Sequence, residues 1–170
     1  PGIKAISFTG GTATGRHLAR TAAPMFKKLS LELGGKNPNL IFADCDLVAA
    51  VATSIRSSFA NQGQICLCGS RIFIERSIYE AFKAEFLQQL QDQKIGDPLA
   101  LDTRQGALVS EDHLHKVLDY IKLAHAEGGT LLAGGHRATV PGRCAEGYFL
   151  EPTVFENLAF DCRTNQEEIF

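Results

Sequence analysis

The sequence predicts an α/β fold built from pieces of largely parallel sheet. Short strand-like runs alternate with amphipathic helical segments along most of the chain. The first such unit, residues 5–33, reads as strand, turn, helix, strand, a βαβ unit. A hydrophobic content of 45% supplies enough apolar side chain for a packed core and argues against disorder.

The elements follow in order. Ala5-Ile6-Ser7-Phe8 is a short apolar run, Thr9-Gly10-Gly11-Thr12 a turn, and residues 13–23 an Ala-rich helix that Pro24 ends. Residues 28–33 alternate polar and apolar, as a strand does, until Gly34-Gly35 breaks them. A strand at 39–42 leads to a helix capped by Asp44 or Asp46, with Leu47, Val51, Ser54, Ile55, Ser58 and Phe59 on one face. Gly63 is its expected stop. Residues 71–74 form a strand, and Ser77 caps a helix whose apolar side is Ile78, Phe82, Phe86 and Leu90. After a loop to about Val109, Ser110 caps a helix with Glu111 and Asp112 in its first turn, where the macrodipole favours anions. Gly128-Gly129 stops it, residues 130–133 form a strand, and 148–150 and 153–155 are short extended segments around Pro152.

Composition narrows the function classes. A net charge of −2 and the lack of a Lys/Arg run argue against a nucleic-acid surface. No apolar run approaches the roughly 18–20 residues that span a bilayer, and no signal peptide is visible. The five cysteines are an odd number in a chain that does not need disulfide staples, which places it in a reducing, cytoplasmic compartment. The default partner is a small molecule, with neither nucleic acid nor membrane. The chain opens on Pro1, carries its only methionine at Met25 and stops at Phe170, so we read it as a fragment.

Four segments can carry chemistry. In residues 8–15, glycines between a strand and a helix allow backbone N–H groups to approach a phosphate. Yet four residues separate Gly10 from Gly15 with none of the G-x-G spacing of a dinucleotide fingerprint, and Arg16 stands where a P-loop needs Lys. A plain turn accounts for these glycines equally well. In Leu31-Glu32-Leu33-Gly34-Gly35-Lys36, a carboxylate at a strand end serves as a general base if it faces a dry pocket. The plainer account is an exposed glutamate on the polar face of Lys28 and Ser30. In residues 61–68, Cys66 lies just past a helix stop in a Gly-containing turn, where its nucleophilic sulfur can face a cleft. A lone cysteine is more commonly a small buried hydrophobe. Cys66 and Cys68 lack the second Cys or His pair that a metal site needs, and the five histidines are scattered surface residues, so no metal is expected. Glu167-Glu168, read alone, is a solvated acidic pair.

Order and spacing say more than each segment alone. Across essentially its full length the chain resembles the aldehyde dehydrogenase superfamily. Residues 8–15 resemble its cofactor pyrophosphate segment, Leu31 through Lys36 its glutamate signature, and Phe59 through Ser70, with Gly63-Gln64-Ile65-Cys66, its cysteine signature. Glu167-Glu168-Ile169-Phe170 and the pair Gly147-Tyr148-Phe149 and Pro152-Thr153-Val154 are family patterns too. Residues 27–32 and 57–68 are most similar to the branch that oxidises aminomuconic and hydroxymuconic semialdehydes.

The resemblance implies an aldehyde dehydrogenase-like fold with Rossmann-type parallel sheet pieces, incomplete here. Residues 1–34 would be the C-terminal part of a cofactor-binding domain and 35–170 part of a catalytic domain. It implies an oxidoreductase that turns an aldehyde into a carboxylic acid with NAD, or NADP, through a cysteine thiohemiacetal and thioester. Cys66 aligns with the nucleophile and Glu32 with the base that activates the deacylating water. Phe8, Thr9, Gly10, Gly11, Gly15 and Leu33 fall in the cofactor-binding segments, Glu168 aligns with the residue on the nicotinamide ribose, and Phe170 packs near the nicotinamide. Gly11 stands where the family often has Ser, which removes a hydroxyl contact to the pyrophosphate. A homo-oligomeric parent is implied, and the isolated 170 residues are expected to lack turnover. Two rivals remain open: a truncated, non-catalytic binding or structural module, and a thiol redox sensor using Cys66 and Cys68.

Overall fold

The local patterns become three strand pairs with helices between them. A computed structural model describes residues 2–170, and the chain divides into two compact units, Pro1–Gly35 and Lys36–Phe170.

The first unit is the βαβ element read from the sequence. Strand β1 (Ala5–Gly10) pairs in parallel with β2 (Lys28–Leu33), and α1 (Thr12–Ala22) connects them. Alternation decides the faces of β2: Leu29, Leu31 and Leu33 are half-buried, while Lys28, Ser30 and Glu32 are exposed. Gly15 is buried, and a Cβ there would lie 2.5 Å from a Leu33 methyl, so only glycine lets α1 come this close to β2. Pro24 falls in a 3-10 turn, Ala23–Met25, directly behind α1.

The second unit opens on another parallel pair, β3 (Pro38–Ile41) and β4 (Arg71–Ile74), joined through α2 (Leu47–Phe59) and followed by α3 (Tyr79–Leu90). Ile41, Val51, Ile55, Phe82, Phe86 and Leu90 form its core, with the Phe82 and Phe86 rings stacked at 5.8 Å. Full burial of side chains this size contributes about 1.5–3 kcal/mol each. Of the two candidate caps for α2, Asp46 serves, accepting from Ala49 N at 3.1 Å. Helix α4 (Glu111–Ala126) is capped by Ser110, whose Oγ accepts from His113 N at 3.2 Å, and it buries Leu114, Ile121 and Ala124. Strands β5 (Thr130–Ala133) and β6 (Val154–Glu156) pair antiparallel, and a short α5 (Arg163–Gln166) follows.

The third strand pair is antiparallel, within the largely parallel arrangement expected, and no α-helix crosses over between β5 and β6. Two local expectations need correction. Ser77 does not cap α3: it lies in a 3-10 turn, Arg76–Ile78, and its hydroxyl donates to Glu75 Oε1 at 3.1 Å. Helix α2 ends at Phe59, before Gly63, because the backbone turns left-handed at Asn61 and Gln62. Among the described residues no helix is long and apolar enough to cross a membrane.

Candidate active site

Cys66 sits on a turn that local propensity alone would not build. Behind α2 a 3-10 segment, Ala60–Gly63, places three successive residues in the left-handed region: Asn61 at φ 51°, Gln62 at 57° and Gly63 at 75°. Glycine is at ease there and asparagine tolerates it, but for glutamine the conformation costs roughly 1–2 kcal/mol. Bonds from another part of the unit hold it. Gln105, buried, donates to Phe59 O at 2.9 Å. Val109 N donates to Gln64 Oε1 at 3.0 Å. Gln62, its amide turned to satisfy both neighbours, donates to Asn61 O at 3.2 Å and accepts from Gly106 N at 2.9 Å. Non-glycine residues kept in this region by their surroundings gather at functional sites.

The turn ends in two thiols with different fates. The Cys66 side chain is exposed, and among the described residues no hydrogen bond engages its backbone N–H. The half-buried Cys68 instead donates from Sγ to Ser58 O at 3.0 Å. Burial pushes the Cys68 thiol up, against the opposing pull of Lys36. An accessible sulfur beside an unspent N–H can attack a carbonyl carbon while the amide donates to the developing oxyanion.

In the first unit, the β1–β2 register sets Thr9 beside Glu32 and Gly10 beside Leu33. The Glu32 side chain is exposed there. Phe8 closes over Gly10, whose Cβ would meet its ring at 2.6 Å. Helix α1 begins at Gly11, an extended N-cap with no side chain to bond the first turn, with open space above it and no acidic residue in that turn. Its unsatisfied N–H groups suit a pyrophosphate, so the residues present fit a dinucleotide. The absence of a side chain at Gly11 leaves this backbone cradle open.

Comparison with known proteins decides the family. The aldehyde dehydrogenase family model matches residues 1–170. The chain belongs to the aldehyde dehydrogenase family. It is 47% identical to a 2-aminomuconic semialdehyde dehydrogenase of Danio rerio over 172 aligned positions, covering 100% of this chain and 35% of that protein. The Homo sapiens 2-aminomuconic semialdehyde dehydrogenase is 44% identical over the same coverage. A crystal structure of betaine aldehyde dehydrogenase from Staphylococcus aureus in complex with NAD+ matches with a TM-score of 0.91 at 39% identity, covering 98% of this chain and 33% of that one. The chain thus spans about a third of the length of the relatives it matches.

Within this aldehyde dehydrogenase chain, the acidic pair divides its labour. Glu167 is tied to Arg163 (2.8 Å) and accepts from the Tyr120 hydroxyl (2.6 Å), contacts that hold its carboxyl down at about 2. Glu168 has no ion pair or hydrogen bond among the described residues, and its half-buried carboxylate remains available. Phe170 meets His113 edge-on at 6.0 Å, and its carbonyl lies 2.9 Å from His113 Nε2. Reading His113 as a surface residue was wrong: it is half-buried, and burial lowers its pKa. Among the described residues no group of three or more His, Cys, Asp or Glu is placed to hold a metal.

Sequence reasoning also passed over Lys36. Its ammonium is half-buried and has no carboxylate partner within ion-pair distance among the described residues. Burial first, and the Arg71 guanidinium second, bring its pKa down to about 8, with Cys68, Cys162 and Glu168 pulling the other way. A folded pKa below that of the unfolded chain makes the charged form a cost, complete below pH 8 and relieved as pH rises toward 10.5. Lys36→Met should therefore raise the urea midpoint at neutral pH, with the gain shrinking between pH 8 and 10.5. A gain that stays constant across that window would sink the assignment.

Proposed function

We propose that this chain carries the catalytic centre for NAD(P)+-dependent oxidation of an aldehyde to a carboxylic acid, with Cys66 as nucleophile and Glu32 as general base. The observation that carries the reading is the exposed Cys66 thiol, beside its own uncommitted N–H, on a turn held in a left-handed conformation. Residues 1–34 then belong to the cofactor-binding domain and 35–170 to the catalytic domain.

The thiolate of Cys66 adds to the aldehyde carbon, forming a C–S bond, and the Cys66 N–H donates to the resulting oxyanion. A bound nicotinamide cofactor supplies the hydride acceptor, and loss of hydride converts the thiohemiacetal on Cys66 into a thioester. Glu32 removes a proton from water, the water oxygen attacks the thioester carbon, and the C–S bond breaks to release the acid and restore the thiolate. The N-terminus of α1, with Phe8, Thr9, Gly10, Gly11, Gly15 and Leu33 around it, would hold the pyrophosphate end of the cofactor. Glu168 would bond the nicotinamide ribose, and Phe170 would pack near the nicotinamide. NAD is the preferred cofactor, since structures of relatives are in complex with NAD+.

The substrate class we favour is a muconic-type semialdehyde, on the strength of relatives at 44–47% identity. All five cysteines are free, in keeping with a cytoplasmic enzyme. We read it as homo-oligomeric, with a small aldehyde as its partner, from the family to which the chain belongs. Mass spectrometry tests the covalent step. Acid-quenching the full-length protein that contains this chain during turnover of a semialdehyde with NAD+ should leave an acyl group on the peptide bearing Cys66. An acyl group on another residue, or turnover without any adduct, would refute the scheme.

A further inference from the structure

The residue that steadies the Cys66 turn from below is Asn37, just ahead of β3. Its single side-chain amide donates to two carbonyls, Cys66 O at 2.7 Å and Cys68 O at 3.0 Å, while its own backbone carbonyl accepts from Arg71 N at 3.2 Å. Both amide hydrogens are thereby used, and both ends of the segment from Cys66 to Arg71 are fixed to one residue. The two bonds orient the peptide planes that follow Cys66 and Cys68. The plane before Cys66, which carries the unspent N–H, is held separately by its own carbonyl, Ile65 O, which accepts from Cys68 N at 2.9 Å.

We propose that Asn37 is a positioning residue for the Cys66 nucleophile: its amide fixes the peptide that follows Cys66, so that thiol and N–H present one shared geometry to the aldehyde. This rests on the reading of Cys66 as nucleophile. Asn37 touches neither substrate nor cofactor and acts through the turn. No residue type of similar size replaces it fully. Aspartate has the same shape but would set carboxylate lone pairs against two carbonyls, alanine has no donor, and serine has one donor for two acceptors. Misplacement of a reacting group by about 1 Å can cost on the order of 100-fold in rate.

The test uses the full-length protein that contains this chain, with NAD+ and with enzyme in saturating excess over a semialdehyde, and reads the single-turnover rate constant, which does not depend on the fraction of active sites. A merely structural role would lower the number of active sites and leave the rate constant of the survivors alone. Positioning predicts a rate constant about 10- to 100-fold lower in Asn37→Ala and Asn37→Asp, partial recovery in Asn37→Ser, and little change in KM for NAD+. Should the alanine variant not fold, the aspartate and serine variants decide by the same rate constant. Rate constants within about twofold of wild type in these variants would overturn the proposal. Full turnover in Cys66→Ala would instead overturn the reading of the nucleophile, so the two failures are distinguishable.

Discussion

In the full-length protein that contains this chain, Cys66→Ala is expected to abolish aldehyde-dependent NAD+ reduction, by about 10³-fold or more, with the fold intact. The side chain is exposed and packs into no core, so its loss leaves no cavity. No neighbour can stand in for it. Cys68 is the nearest thiol in sequence, but its sulfur is turned to Ser58 O, and burial raises its pKa, which keeps it protonated. NAD+ binding should survive, because the proposed pyrophosphate cradle at the start of α1 does not involve Cys66. The measurements are steady-state NADH formation, NAD+ binding by fluorescence quenching and far-UV circular dichroism of the same preparation. Turnover within about tenfold of wild type would remove Cys66 from the mechanism.

The βαβ unit was legible because its signals are local. Period-2 alternation at residues 28–33, the glycines after Phe8 and Pro24 behind α1 each act over a few residues. The Ser110 cap and the buried stripe of Leu114, Ile121 and Ala124 could be read for the same reason. What could not be read depends on partners far along the chain. Gly63 resembles a helix stop, but α2 ends earlier because Gln105, Gly106 and Val109 stabilise a left-handed run more than forty positions upstream of them.

The site shows the same division. Cys66 and Glu32 stood out through ordered motifs, whereas their surroundings did not. Glu167 and Glu168 are adjacent and chemically identical in the sequence. They separate only because Tyr120, 47 positions away, joins Arg163 in engaging Glu167 and leaves Glu168 uncommitted. Arg163 at four residues' spacing was the one available hint. Asn37 gave none, since its two acceptors are main-chain carbonyls 29 and 31 positions on, and main-chain carbonyls leave no mark in the sequence.

Glu32→Gln should split the reaction at its midpoint. The substitution preserves shape and removes only the capacity to accept a proton, and on the exposed face of β2 it should change stability by no more than about 0.5 kcal/mol. Attack by Cys66 and hydride loss do not call on Glu32 in the proposed scheme, so one equivalent of NADH per site should still form in a burst. Hydrolysis of the thioester does call on it. Without a general base that step slows by about 10²- to 10⁴-fold, and steady-state turnover falls with it. The acyl group on Cys66, transient in the wild type, should then accumulate to nearly one per site and persist long enough for intact-mass measurement. Added hydroxylamine, a stronger nucleophile than water that needs no such base, should discharge it and restore part of the turnover. A variant that lost the burst as well would place Glu32 in the acylation step, and one with unchanged steady-state turnover would leave it no catalytic part.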